Sequence, residues 1–114
     1  MILSRSEILG NVKAGKIGIS PFSEDLLNPN SYDYRIDRQL LELADIPIDP
    51  KKPTAHREID FTDDGYVLSP NKTYLAHTYE EIGSMEFVPL LIGKTSLGRL
   101  GLFLQITADL GNLG

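Results

Sequence analysis

One segment near the C-terminal end, residues 93–102, carries the side chains best suited to chemistry. It places a lysine, an arginine and two hydroxyls among three glycines, between the apolar runs 88–92 and 103–106. Glycines let backbone N–H groups approach an anion, and Lys94 and Arg99 add positive charge. Thr95 and Ser96 add short hydrogen-bond donors. These residue types predict a ligand that bears phosphate.

The same segment is not a P-loop. The pattern G-x-x-x-x-G-K-[ST] would require a glycine five residues before Gly93, where the chain has Val88. Residues 88–92 instead read as a buried strand. The alternative that stays open from pattern alone is a glycine-rich turn between two core strands.

Composition narrows the classes of function. The 114 residues suit one domain of ordinary globular balance, with 41% hydrophobic and 24% charged residues. A formal charge of −5 argues against nucleic-acid binding, and no apolar run is long enough for a membrane span or signal peptide. The default location is therefore the cytoplasm. Since Lys94 and Arg99 are the only lysine or arginine after Lys72, a phosphate site would use them or residues of another subunit.

Metal and cysteine chemistry have little support. The chain has no cysteine, which excludes disulfides, thiolate metal sites and the P-C-x-x-C element of zinc nucleobase deaminases. His56 lies in a charged loop and His77 in a predicted strand, and neither belongs to a metal cluster. Asp33, which lies near Arg35, is interpreted as a structural residue that forms an ion pair or caps a turn, in preference to a catalytic role. Asp109 and Asn112 follow the last predicted strand, and either a pocket lining or a plain turn would explain them.

The elements that must position these residues are mostly strands. Ser4 and Glu7 form a capping-box pattern for a helix that ends near Gly15. Residues 44–58, with three prolines, are predicted to be an exposed loop. The other segments predicted as regular structure are a strand at 17–19, a helical turn at 23–27 and strands at 32–36, 66–68, 72–79, 85–92 and 103–108.

Several of these segments together resemble the dCTP deaminases, members of the trimeric dUTPase-like superfamily. The resemblance covers almost the whole chain, and residues 93–108 are its most specific part. The segments that carry it are Met1-Ile-Leu-Ser4, Asn28-Pro-Asn-Ser-Tyr-Asp-Tyr-Arg35, Leu75-Ala-His-Thr78, Glu86-Phe-Val-Pro89 and residues 93–102 with Thr107-Ala108.

The resemblance implies a mainly β fold, a distorted dUTPase-like barrel (β-clip) with a short N-terminal helix. It implies a homotrimer with nucleotide sites at subunit boundaries, and zinc-independent hydrolytic deamination of dCTP to dUTP and ammonia. Mg²⁺ would be bound through the triphosphate. The alternatives are a dUTP diphosphatase, a bifunctional deaminase and diphosphatase, and a non-catalytic nucleotide-binding module.

The resemblance also implies roles for particular residues. Thr95 stands at a catalytic serine position, and Arg99 matches an arginine that positions the water and the active-site glutamate. Lys94 and Ser96 stand where the family contacts phosphates. The nucleotide-binding set implied in this way is Lys94, Thr95, Ser96, Leu97, Gly98, Arg99, Thr107, Ala108 and Asn112.

Three substitutions and the chain end depart from the family pattern. Lys94 replaces an arginine and loses its planar fork. Thr95 replaces a serine, and Asn112 replaces an aspartate, which argues against diphosphatase activity. The family's general-base glutamate is expected beyond Gly114, so residues 1–114 are predicted to be one deaminase-like domain truncated at its C-terminus and inactive alone.

Overall fold

The computed structural model describes residues 1–44, 47–104 and 109–114, and the predicted mainly β fold with a short N-terminal helix is confirmed. Two compact units are present, one of residues 1–33 with 80–114 and one of residues 34–79. The described strands form two sheets, and neither closes into a barrel. The elements in chain order are α1 (Arg5–Lys13), β1 (Gly18–Ser20), a 3₁₀ turn (Glu24–Leu26), β2 (Ile36–Leu43), β3 (His56–Asp60), β4 (Tyr74–Thr78), β5 (Glu81–Gly83) and α2 (Thr95–Gly98).

The unit of residues 34–79 is a three-stranded antiparallel sheet in the order β3-β2-β4. Leu40 of β2 pairs with Ile59 of β3, and these two side chains are its buried core. Strand β3 begins at His56 and so corrects the predicted loop over 44–58. Cross-strand pairing with β2 accounts for this difference, because it satisfies the backbone of a charged segment that has little strand pattern of its own.

Other strand boundaries also differ from prediction. The alternation that begins at Tyr32 becomes a strand only at Ile36, and residues 66–68 form no strand. The prediction for 72–79 is confirmed by β4, which pairs with β2 across a register shift between Ile36 and Leu40.

A polar cluster joins the three strands around Glu42. Its register partners are Arg57 on β3 and Tyr74 on β4, so both flanking strands bring a donor to one carboxylate. Arg57 Nη2 donates to Glu42 Oε1 at 3.2 Å, and the Glu42 side chain is only 12% exposed. The hydrogen bond from Tyr74, followed by the contact with Arg57, lowers the pKa of Glu42.

The other unit begins with the predicted helix. The Glu7 carboxylate accepts hydrogen bonds from the Ser4 backbone N–H at 2.8 Å and from Ser4 Oγ at 2.7 Å, and the predicted capping box is present. Both bonds lower the pKa of Glu7. Gly15 ends the helix with φ +72°, a left-handed conformation that favours glycine. The predicted helical turn within 23–27 is confirmed as the 3₁₀ turn.

The rest of this unit is held by short pairings. Strand β1, as predicted near residues 17–19, pairs antiparallel with β5. The predicted strand over 85–92 is not found as a continuous strand, since among the described residues its one β-bridge joins Leu90 to Leu110. Many side chains of that apolar run are exposed, so sequence hydrophobicity overstated its burial. Among the described residues, no helix is long and apolar enough to cross a membrane.

Two glycines of the N-terminal helix provide a matched test of the backbone. Gly15→Ala should lower the free energy of unfolding by about 1–2 kcal/mol, because alanine is strained at φ +72°. Gly10→Ala should raise it by up to about 1 kcal/mol, because that position is helical and its added Cβ meets no atom within 4 Å. Urea unfolding of both variants measures the effect, and equal changes would contradict this account of Gly15.

The Glu42 cluster predicts a pH dependence of stability. Because the folded-state pKa of Glu42 lies below its ordinary value of 4.5, the cluster stabilises the fold above that pH and loses the effect as pH falls through the lowered pKa. Glu42→Gln should therefore be less stable than wild type at pH 7, with the difference shrinking toward pH 3. Denaturant unfolding at several pH values measures this. Glu58→Gln is the control, because Glu58 is an exposed carboxylate on β3. A difference in unfolding free energy between Glu42→Gln and wild type that stays constant with pH would refute the prediction.

Candidate functional site

The segment predicted to bind phosphate forms a short helical turn. Lys94 is extended, with φ −96° and ψ 129°, and α2 follows at once. The Gly98 N–H donates to the Lys94 carbonyl at 2.9 Å, and the Arg99 N–H donates to the Thr95 carbonyl at 3.1 Å. In the described residues the flanks are irregular apart from the Leu90 bridge. The open alternative of a turn between two regular core strands therefore finds no support there.

The side chains of this turn form an exposed polar group. Lys94, Thr95, Ser96 and Arg99 are all exposed, and Gly98 is half-buried. Arg99 has no ion-pair partner within the part of the chain that the structure describes. The predicted phosphate and catalytic residues 94–99 are thus brought together by one turn of helix, with two cations and two hydroxyls open to a ligand.

Two of the glycines leave space beside this group. A Cβ added at Gly93 or Gly98 would meet no atom within 4 Å. Among the described residues, neither glycine is therefore required by a close neighbour, and the space would admit another molecule. Gly101 differs, because its φ of +85° is a conformation that favours glycine. It closes the turn with its N–H on the Gly98 carbonyl at 3.0 Å.

Lys94 is paired with Asp33, 61 residues earlier in the chain. Lys94 Nζ donates to Asp33 Oδ2, and the two side chains are 57% and 33% exposed. The guanidinium of Arg35, the partner suggested by the sequence, lies 4.5 Å from the ring centre of Tyr79. Asp33 does form an ion pair, and its partner is Lys94. Sequence reasoning missed this partner of Lys94, because an ion pair between distant segments leaves no local pattern.

The remaining predicted contacts lie on the C-terminal side. Residues 89–91 run antiparallel to 109–111, with the Leu91 N–H donating to the Asp109 carbonyl at 2.7 Å and the Gly111 N–H to the Pro89 carbonyl at 2.8 Å. Lys94 therefore leaves one end of this pairing and Asn112 leaves the other. Thr107 and Ala108 lie outside the described residues. The structure does not bring Asn112 into the group formed by residues 94–99.

Both histidines have polar neighbours within the unit of residues 34–79. His56 Nδ1 is 3.1 Å from the Thr54 carbonyl, and His77 Nδ1 is 3.5 Å from Asp37 Oδ2. Residues 1–44, 47–104 and 109–114 contain no group of three or more His, Asp or Glu side chains placed to hold a metal ion.

Curated relatives match the whole of this chain. Proteins from Leptospira biflexa and Clostridium beijerinckii are each 42% identical to it over 114 residues, and one from Cytophaga hutchinsonii is 40% identical over 114 residues. Each match covers 100% of this chain and 65% of the relative. The chain therefore spans about 65% of the length of the curated relatives it matches.

The names of these relatives correct one prediction. All three are called "dCTP deaminase, dUMP-forming". The predicted product of the reaction, dUTP, is therefore wrong, since the relatives are named for dUMP. The resemblance rests most specifically on residues 93–108, and the phosphate contacts predicted there would suit any nucleoside triphosphate, so they do not distinguish between the two products.

A family sequence model gives the same assignment over nearly the full length. The model described as "dCTP deaminase-like" matches residues 2–114. It spans both compact units and every site residue discussed above. The chain belongs to the dCTP deaminase-like family.

Proposed function

We propose that this chain provides the phosphate-binding and positioning part of an enzyme that converts dCTP and two water molecules to dUMP, ammonia and pyrophosphate. The observation that carries the proposal is the match of all 114 residues to relatives named for that product. This match outweighs the argument against diphosphatase activity that was drawn from Asn112. That argument concerns one side chain, whereas the match extends over all 114 residues at 42% identity.

The exposed group at 94–99 suits the triphosphate. Lys94 offers a mobile point charge, and Ser96 offers a hydroxyl donor two residues later. Hydrogen bonds from a charged donor to phosphate oxygens are stronger than neutral ones. Mg²⁺ would accompany the nucleotide and neutralise part of the charge on its phosphates.

Arg99 is the residue we assign to the deamination step. Attack at C4 of cytosine needs an activated water and a group that moves its proton. A guanidinium beside a carboxylate keeps that carboxylate ionised and oriented, and Arg99 is exposed with no ion pair in the described residues. The resemblance implies that this carboxylate is the family's general-base glutamate. Thr95, at the start of the same turn, would offer its hydroxyl to the reacting centre.

The nucleotide site is proposed to lie between subunits of a homotrimer. Lys94 and Asn112 leave opposite ends of the pairing between 89–91 and 109–111, so one chain does not gather both contacts. A second copy would supply the missing side. Exposed apolar side chains of the same region, such as Leu90, Ile92 and Leu110, would also be covered by a neighbouring subunit.

The reaction is tested with this 114-residue chain and with a form extended along its gene to the length of the relatives. With dCTP and Mg²⁺, the extended form should release equal amounts of ammonia and pyrophosphate, and the 114-residue form should release neither. Ammonia without pyrophosphate would contradict dUMP formation. Binding without turnover in both forms would favour a non-catalytic module. Ultracentrifugation of the same samples measures assembly, and a monomer that turns over dCTP would exclude a shared site.

Arg99→Ala in the active form should lower ammonia release by at least about 100-fold, because the base loses its charged neighbour. Binding of dCTP should change much less, since Lys94 and the hydroxyls remain. Arg38→Ala is the matched control, as Arg38 is an exposed arginine of β2 that pairs with Asp63. Calorimetry and an ammonia assay measure the two effects. Normal turnover by Arg99→Ala would refute its assigned role.

A further inference from the structure

We propose that Asp33 is a positioning residue that holds the Lys94 ammonium ready for the nucleotide's phosphates. The inference rests on the proposed function, in which Lys94 contacts the triphosphate. It goes beyond that function by assigning a role to a residue of the N-terminal part of the chain. The observation that carries it is the direct contact between Lys94 Nζ and Asp33 Oδ2.

The backbone that carries Asp33 is firmly held. Its N–H donates to the Leu26 carbonyl at 2.9 Å, and the Asn28 N–H closes the intervening turn on the Ser31 carbonyl at 2.8 Å. The adjacent Tyr32 ring stacks on Phe22 with ring centres 5.7 Å apart. The Asp33 carboxylate therefore projects from a fixed point and is itself only one-third exposed.

Lys94, in contrast, needs external orientation. A lysine side chain has four rotatable carbons and loses about 2 kcal/mol of rotamer entropy when it is fixed. An arginine would bring a planar fork to the same task, whereas lysine brings a point charge with no preferred direction. The ion pair with Asp33 limits the rotamers of Lys94 before any ligand arrives. This reduces the ordering cost that would otherwise weaken binding.

The pair leaves Lys94 able to bind a ligand. An ammonium group has three N–H donors, and Asp33 accepts one of them. Two donors remain for phosphate oxygens, on a side chain that is 57% exposed. Thr95 and Ser96 follow Lys94 directly in the sequence, so both hydroxyls belong to the same short segment as the ammonium group. Asp33 thus acts through Lys94 and has no contact of its own with the nucleotide.

A double-mutant cycle tests this role by calorimetric binding of Mg²⁺-dCTP to the extended form. Asp33→Asn should weaken binding about two- to fivefold, the range of a partly exposed ion pair. Lys94→Met should weaken it further. Asp33→Asn added to Lys94→Met should cause no additional loss, because the group that Asp33 orients is gone. Asp33→Glu, which keeps the carboxylate, should bind more tightly than Asp33→Asn.

Controls separate positioning from a general effect on the fold. Asp37→Asn removes an aspartate of similar exposure that pairs with His77, and it should leave dCTP affinity unchanged. Asp33→Asn that binds as tightly as wild type, or that weakens binding equally when Lys94 is methionine, would overturn the inference. Wild type that fails to bind dCTP would refute the proposed function and this inference with it, whereas normal wild-type binding confines any failure to Asp33.

Discussion

The attachment of helix α1 to the turn between Leu27 and Tyr32 is the constraint on which the candidate site depends. Arg5 makes this attachment with its backbone and its side chain. Its N–H donates to the Pro29 carbonyl at 2.7 Å, and its guanidinium donates to the carbonyls of Leu27 and, at 3.2 Å, Glu24. Leu27 is also one of the few buried apolar side chains. The turn between Leu27 and Tyr32 is consequently fixed, and Asp33 begins where it ends.

This arrangement explains how a small unit with little buried core can position a charged side chain. Within its described residues the helices and strands are short, and the sheet has two strands. Backbone hydrogen bonds between distant segments provide much of the order, as at 89–91 with 109–111. Buried backbone groups must find partners, so such bonds define the turns even where no regular strand forms. The turn at 94–99 follows this pairing in the chain. The contact between Lys94 and Asp33 ties it to the N-terminal segment.

The parts of the fold that sequence predicted correctly are those with local causes. Ser4 and Glu7 cap a helix through neighbours three residues apart, and Gly15 ends it by its own backbone conformation. Strand β3 was missed because it is stabilised by pairing with β2, which lies on the other side of a proline-rich segment in the sequence. The apolar run 85–92 was overpredicted for the converse reason. It has strand composition, but within the described residues only Leu90 finds a bridge partner.

The same distinction between local and long-range causes applies to the candidate site. Lys94, Ser96 and Arg99 belong to one short segment, so the sequence alone indicated that they lie near one another, although it did not predict the helical turn of residues 95–98. The pairing of Lys94 with Asp33 depends on how two segments 61 residues apart meet, which no local pattern records. Asn112 was assigned by resemblance to the position of an aspartate that contacts the sugar, and within one chain the pairing register directs it away from Lys94.

That separation has a chemical consequence for a site of this kind. A nucleotide needs contacts at its phosphates, sugar and base, and these ends are too far apart to be served by one helical turn. Residues 94–99 offer cations and hydroxyls but no apolar wall against which a base could lie, apart from Leu97, which is itself exposed. A ligand bound there alone would be recognised by its phosphates only. Under the proposed function, discrimination of cytosine would therefore come from residues outside the turn, in another segment or in a second copy, and the turn would contribute affinity and orientation.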